Sequence, residues 1–234
     1  MVKLSFIMRT TNSYTFNDTY MIYNIERERV SFWDYLNAFR ELLCSSIMAG
    51  VFISLGAVAF LKAGGIVGAV LFTFGLISIV HYGLRLYTGV SGFVSNIGEV
   101  FLLPIVLIGN IVGCGLVAYF AKEFMPDFIE TARHIVDGRL ANSTMNILAL
   151  STLCGFIMTT VVKYARQTQW LPLIFGIPLF IMCGFVHSIA DAFYYLFSLD
   201  WCTELTWPVV SVYLWSVLGN FIGCNLYRII MWKN

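Results

Sequence analysis

Six long stretches without Asp, Glu, Lys or Arg constrain the fold of this chain more than any other feature. A helix needs about 20 apolar residues to cross the roughly 30 Å hydrocarbon core of a bilayer. The stretches that meet this length are Leu42–Leu61, Ala63–Leu84, Val100–Ala121, Leu140–Val162, Trp170–Ala190 and Leu205–Tyr227. Only 12% of the residues are charged and 59% are hydrophobic, so there is too little polar surface for a water-soluble domain. The sequence predicts an all-α integral membrane protein with six transmembrane helices.

The charge balance excludes nucleic acid as a partner. With 14 basic and 13 acidic residues the formal net charge is +1, and phosphate binding requires a clustered basic face. The six cysteines form no CxxC pair and no spacing typical of metal ligands, so neither a metal nor a cofactor is predicted. No enzymatic activity is predicted either.

The second and fifth stretches contain polar residues where a straight helix would have to continue. The second runs into Arg85 and then Thr88-Gly89 before a further apolar piece, and the fifth runs into His187 and Asp191. Irregular backbone at membrane depth occurs where it lines a cavity rather than where it faces lipid. We therefore predict that spans two and five are interrupted and line a pore.

Three pairs of short motifs recur in the same order along the chain, which indicates an internal duplication. The pairs are Ser46–Gly50 with Ser151–Gly155 at an offset of 105, Gly68–Phe72 with Gly176–Phe180 at 108, and Leu107–Leu116 with Val217–Leu226 at 110. Each half then contains three spans, which is an odd number, so the second half enters the membrane upside down. This predicts an inverted 3+3 repeat with halves at about 36–125 and 139–234.

The distribution of basic residues predicts the orientation in the membrane. With a cytoplasmic N-terminus, nine lie on that side, Lys3, Arg9, Arg27, Arg29, Arg40, Lys163, Arg166, Arg228 and Lys233, and four on the other, Lys62, Lys122, Arg133 and Arg139. The positive-inside rule then places both termini in the cytoplasm of a multi-pass protein of the plasma or inner membrane. Residues 1–35 are predicted as a cytoplasmic N-terminal segment, within which Ser31 and Asp34 predict the N-terminal cap of a helix.

Two motifs resemble those of the formate/nitrite transporter family. The segment Gly83–Gly89, Gly-Leu-Arg-Leu-Tyr-Thr-Gly, is similar to the first-loop signature of that family. The segment Gly184–Phe193 is similar to the fifth-span pattern Gly-Phe-Glu-His-Ser-x-Ala-Asn-x-Phe, and the Gly-Asn pairs at Asn110 and Asn220 fit as well. The resemblance covers about residues 36–232, and the spacing between the motifs makes it specific.

The resemblance implies an aquaporin-like fold that assembles as a homopentamer in the lipid bilayer, with one pore in each protomer. It implies transport of a small inorganic or monocarboxylate anion such as formate or nitrite, together with a proton. The implied pore residues are Phe72, Leu76, Leu86 and Thr88 at a cytoplasmic constriction, Phe180 at a periplasmic one, His187 between them, and Arg139 at the anion entrance. Asn110 and Asn220 could contact substrate or hydrogen-bond neighbouring helices, and the residues leave both interpretations open.

Four residues depart from the family pattern. Arg85 and Val90 replace an acid and an asparagine in the first motif, whereas Val186 and Asp191 replace a glutamate and an asparagine in the second. Asp191 lies four residues after His187, a spacing that puts both side chains on one helical face. We predict that Asp191 tunes the histidine by orienting it and supporting its protonation. The alternative is that Asp191 forms an ion pair with Arg85.

Two other functions were considered. Gly89–Gly92 matches the GxSG pattern of intramembrane serine proteases, in which Ser91 would be the nucleophile and His187 its base. This alternative does not account for the inverted repeat or for the interrupted spans. A neutral-solute channel of the aquaporin type requires a duplicated Asn-Pro-Ala motif, and none of the five prolines follows an asparagine.

Overall fold

The computed structural model describes residues 31–231, which are helical with short connections. The predicted all-α class is confirmed in these residues. The helices are α1 (Phe32–Ala63), α2 (Gly65–His81), α3 (Tyr87–Val90), α4 (Ile97–Val100), α5 (Leu103–Phe124), α6 (Ile129–Leu140), α7 (Thr144–Arg166), α8 (Leu171–Met182), α9 (Ser188–Ser198) and α10 (Trp207–Ile230). Short 3₁₀ turns follow α3 and precede α6.

Helix α1 begins where the capping signal predicts. The Ser31 side chain accepts a hydrogen bond from the backbone N–H of Trp33, and the Ser31 N–H donates to Asp34 Oδ2 at 2.8 Å. This reciprocal capping box satisfies N–H groups that have no partner within the helix. Most of the predicted N-terminal segment, residues 1–30, lies outside the described residues.

Four segments of the described chain are long and apolar enough to cross a membrane, namely Phe32–Ala63, Ile97–Phe124, Thr144–Arg166 and Trp207–Ile230. Two shorter apolar helices, α2 and α8, correspond to the spans predicted as interrupted. Both end earlier than predicted, at His81 rather than Leu84 and at Met182 rather than Ala190. These helices make the protein a multi-pass membrane protein.

The two halves of the chain contain the same close helix crossing. Helix α1 packs on α5 and α7 packs on α10, and both crossings rely on glycine. A Cβ atom at Gly50 would lie 2.1 Å from the carbonyl oxygen of Asn110, and one at Gly155 would lie 2.3 Å from that of Asn220. The two contacts are related by the offsets of 105 and 110 residues seen in the sequence. The duplicated motifs therefore occupy equivalent positions in the two helix pairs.

The broken helices lie between these two helix pairs. Helix α9 packs against α5 and α6, the short α3 contacts α5 and α7, and α2 packs against α8. The largest completely buried side chains include Phe72 on α2 and Phe193 and Phe197 on α9. The core is therefore centred on the segments in which the helices are interrupted.

We expect Gly113→Ala to destabilise the fold by about 1–3 kcal/mol, the cost typical of overpacking a core. A Cβ atom at Gly113 would lie 2.0 Å from the backbone oxygen of Ile47, which cannot move without shifting α1. Gly115→Ala is the matched control on the same helix, because its Cβ would meet only the Leu196 Cδ1 atom at 3.7 Å. Unfolding in detergent micelles measures both variants. Equal losses at the two positions would contradict the close-crossing interpretation.

Candidate functional site

The two interruptions have the same backbone geometry. Each begins with a glycine in the left-handed region, Gly83 with φ +63° after α2 and Gly184 with φ +69° after α8. In both, the N–H of the next residue donates at 2.9 Å to a carbonyl five residues earlier, which ends the helix in a Schellman motif. The breaks are thus related by 101 residues. This offset differs from the 108 residues that separate the Gly68–Phe72 and Gly176–Phe180 motifs of the same spans.

Asn110 holds the first break in place from helix α5. Its Oδ1 accepts from the backbone N–H of Tyr87, the first residue of α3, at 2.8 Å. Its Nδ2 donates to the carbonyl of Ser46 at 2.7 Å and to that of Arg85 at 2.8 Å. The amide therefore ties α1, α3 and the break together.

Asn220 does the same at the second break. Its Oδ1 accepts from Ser188 N–H at 2.8 Å, and its Nδ2 donates to the carbonyls of Ser151 and Val186, each at 2.8 Å. Both asparagines are completely buried and use both amide protons on the backbone. Of the two interpretations left open, these contacts favour hydrogen bonds between helices, and substrate contact by Asn110 and Asn220 stays a prediction.

Two cysteines connect the halves at the breaks, a role that the sequence analysis missed. Cys224 Sγ donates to the carbonyl of Thr88 at 3.3 Å, and Cys114 Sγ donates to that of Ile189 at 3.4 Å. In each case the cysteine of one half contacts the broken segment of the other half. Their recurrence in the two Gly-Asn motifs was the signal that could have identified them.

His187 lies at the N-terminal cap of α9, where the two halves meet. Its Nδ1 accepts from the backbone N–H of Ala190 at 3.1 Å, and its Nε2 lies 2.9 Å from Thr88 Oγ1. Because Nδ1 is an acceptor, a neutral ring carries its proton on Nε2 and donates it to Thr88. Only 1% of His187 and none of Thr88 is exposed. Leu86 is the equivalent cap residue of α3, so of the two described breaks the second alone has a titratable side chain at its cap position.

An aromatic layer covers this hydrogen bond. The Phe180 ring stacks on His187 with centroids 5.7 Å apart and contacts the Phe72 ring edge-on at 6.2 Å. The prediction that Phe72 and Phe180 belong to separate constrictions is therefore wrong. They touch because α2 packs directly on α8. Leu76 lies one helical turn beyond Phe72 and is completely buried.

Asp191 forms an ion pair with Arg139, so the alternative in which Asp191 pairs with Arg85 is wrong. Arg139 Nε lies 3.1 Å from Asp191 Oδ2, and the two side chains are 17% and 4% exposed. Arg85 instead lies with Glu41 and Ser45 around a cavity of about 480 Å³ at the first break. The influence of Asp191 on the protonation of His187 stays a prediction.

A model of a known family matches the sequence of this chain. The formate/nitrite transporter model matches residues 28–232. The chain belongs to the formate/nitrite transporter family. No curated protein matches the chain.

Solved structures of other proteins share the fold of this chain. One is a pentameric formate channel with formate bound, at 19% identity and a TM-score of 0.71, covering 83% of this chain and 96% of that chain. Another is an FNT family ion channel, at 18% identity and a TM-score of 0.73, covering 86% of this chain and 91% of that chain. At these identities the likeness shows a common fold.

The catalytic dyad of the protease alternative is not assembled in this formate/nitrite transporter homologue. Ser91 Oγ donates to the carbonyl of Tyr87, whereas the His187 Nε2 atom faces Thr88. A serine nucleophile requires its base within hydrogen-bond reach. The structure therefore gives no support to the protease.

We expect Asn220→Ala to cost about 2–3 kcal/mol of unfolding free energy, because it leaves the buried Ser188 N–H and the Val186 carbonyl without their partner. Asn142→Ala is the control, since the Asn142 amide makes a surface hydrogen bond to the carbonyl of Gly138. Unfolding in detergent, followed by circular dichroism, compares the two. A loss at position 220 no larger than at position 142 would contradict the role of Asn220 as a clamp.

Proposed function

We propose that this protein carries small monovalent weak-acid anions such as formate or nitrite across a membrane. The observation that carries this proposal is the Thr88–His187 hydrogen bond at the meeting point of two broken helices, covered by aromatic rings. Family membership supports transport, and a structural neighbour is titled as a channel with formate bound.

We further propose six crossings arranged as an inverted 3+3 repeat of the aquaporin type. The four long helices provide four crossings, and α2 with α3 and α8 with α9 provide the two interrupted ones. The duplicated asparagine clamps and glycine crossings support this arrangement, because equivalent contacts recur around both breaks. The excess of basic residues on one side supports cytoplasmic termini and insertion in the plasma or inner membrane.

A homopentamer is the proposed assembly, and one structural neighbour is described as pentameric. Large apolar side chains on α2 and α8, such as Phe74 at 60% and Phe175 at 68% exposure, face away from the single chain. Apolar surface of this kind is covered by lipid or by neighbouring protomers in a membrane protein.

We assign substrate contact to His187 and Thr88, and the apolar barrier to Phe72, Leu76, Leu86 and Phe180. A bare anion loses hydration free energy of several kcal/mol when it enters an apolar layer. Two features of the site offset part of this cost, the positive N-terminal end of α9 and the Nε2–H of His187.

A proton is proposed to accompany the anion. A membrane potential opposes uptake of one negative charge by about 2.3 kcal/mol per 100 mV. An anion that crosses with a proton carries no net charge, so the potential does not act on the pair. His187 can take a second proton only if Nδ1 gives up its bond to Ala190, and the arriving anion offsets the charge that this creates.

In proteoliposomes we expect inward formate flux to rise by roughly tenfold as the outside pH falls from about 8 to about 5, since the electrical penalty disappears with the charge. Protein-free liposomes give the background from diffusion of formic acid. Flux that does not depend on pH would refute the proton-coupled mechanism, and the absence of any anion flux would refute the proposed function.

His187→Gln tests whether the histidine carries this dependence. We expect it to reduce formate flux by about tenfold and to flatten the pH profile, because the amide cannot take up a proton. His134→Gln is the matched control, since His134 on α6 is an exposed histidine with only a 3.9 Å contact to Glu130. An unaltered pH profile in His187→Gln would assign proton coupling to another group.

A further inference from the structure

The two breaks have the same construction but differ in their charged residues, since Arg85 of the first break is equivalent to Val186 of the second. Both have a left-handed glycine, an asparagine clamp and a cysteine donor from the other half. At the shared offset of 101 residues, Asp191 of the second break is equivalent to Val90 of the first. The first break therefore forms without an acid at this position, and Asp191 is not needed to build a break of this kind.

The Arg139–Asp191 pair joins the connecting helix α6 to both sides of the second break. Arg139 Nη1 donates to the carbonyl of Gly184 at 3.0 Å, at the end of α8, while Nε holds Asp191 in the first turn of α9. Buried ion pairs add little net stability, because the desolvation cost is close to the Coulomb gain. The position of the pair thus points to an effect on the pore rather than on folding.

The pair lies where the break emerges from the core. Gly184 is exposed, Val186 is completely buried, and His187 is 1% exposed. An unpaired guanidinium at such an entrance would concentrate anions of every kind, by tenfold or more in focused fields. The Asp191 carboxylate lies 3.1 Å from the Arg139 guanidinium. Its opposite charge therefore cancels most of the electric field of Arg139 at distances larger than this separation.

We propose that Asp191 masks the charge of Arg139 and so sets how strongly the entrance attracts anions of every kind. This proposal rests on the proposed transport function. With the charge masked, neither formate nor the anion of a strong acid, such as nitrate, gains electrostatic attraction on the way in. Selection for weak acids is then made at the Thr88–His187 site, where a proton can accompany the substrate.

Formate flux at one pH, measured at a formate concentration well below saturation, tests the proposal. Asp191→Asn unmasks Arg139, and we expect it to raise this flux by about tenfold. The double variant Arg139→Gln with Asp191→Asn removes both charges and should return the flux to within about twofold of the unmodified protein. Because it leaves no unpaired buried charge, the double variant also tests the idea if Asp191→Asn alone folds poorly. A tenfold rise that persists in the double variant would overturn the proposal.

Glu204→Gln is the matched control. Glu204 pairs with Arg133, another arginine of α6, and the side chains are 36% and 31% exposed. The hydrogen bond from Arg133 lowers the pKa of Glu204 to about 2, so the carboxylate is charged at neutral pH and its removal changes the net charge as Asp191→Asn does. We expect formate flux to stay within about twofold of the unmodified protein, because solvent screens this pair. An equal rise in both variants would indicate a general charge effect and contradict the proposal.

A second readout separates this proposal from the transport function. Cys183 is exposed and adjacent to Gly184, so its rates of modification by anionic and cationic thiosulfonates report the local potential. With Cys44 and Cys202 changed to serine, we expect Asp191→Asn to raise the anionic-to-cationic rate ratio by about fivefold or more. An unchanged rate ratio refutes the masking even if formate flux is normal, whereas a raised ratio in a protein that carries no anion refutes only the proposed function.

Discussion

The structure depends on one constraint, which is that backbone polar groups inside a bilayer must find partners within the protein. A helix that stops within the membrane leaves N–H and carbonyl groups unpaired, at about 1–3 kcal/mol for each buried group. Asn110 and Asn220 supply these partners from intact helices. They reach the carbonyls of Ser46 and Ser151 only because glycines let α1 approach α5 and α7 approach α10. The close crossings and the breaks therefore require each other.

The same constraint positions the polar side chains at the centre of the site. His187 caps α9 through Nδ1, so the backbone fixes the orientation of the ring and leaves Nε2 toward Thr88 of the other half. Leu86 occupies the equivalent position at α3 and has no polar group to offer. A duplicated scaffold thus carries an asymmetric pair of side chains at its centre. The Phe180 ring lies over the histidine and contributes to its burial.

Two arginines of helix α6 form ion pairs that differ in their exposure to solvent. The Arg139–Asp191 pair cancels its own field at a distance, whereas the exposed Arg133–Glu204 pair is screened by solvent whether or not it is intact. Two arginines of helix α6 therefore pair with acids of other segments in ion pairs of similar composition and different electrostatic reach. The difference arises from burial and not from the residue types.

The sequence by itself determined the features that depend on local pattern: the apolar stretches, the Ser31 cap, and the duplicated glycine and asparagine motifs at offsets of 105 and 110 residues. It also located His187 at an interruption, because polar residues within apolar runs are conspicuous. Only the tertiary structure decided that Phe72 contacts Phe180 and that Asp191 binds Arg139. Those contacts join segments far apart in the chain, and they depend on where each broken helix ends. The breaks follow an offset of 101 residues because the left-handed glycines that end the two helices, Gly83 and Gly184, are 101 residues apart. A hydrophobic pattern does not record which side chains meet once the two halves have packed.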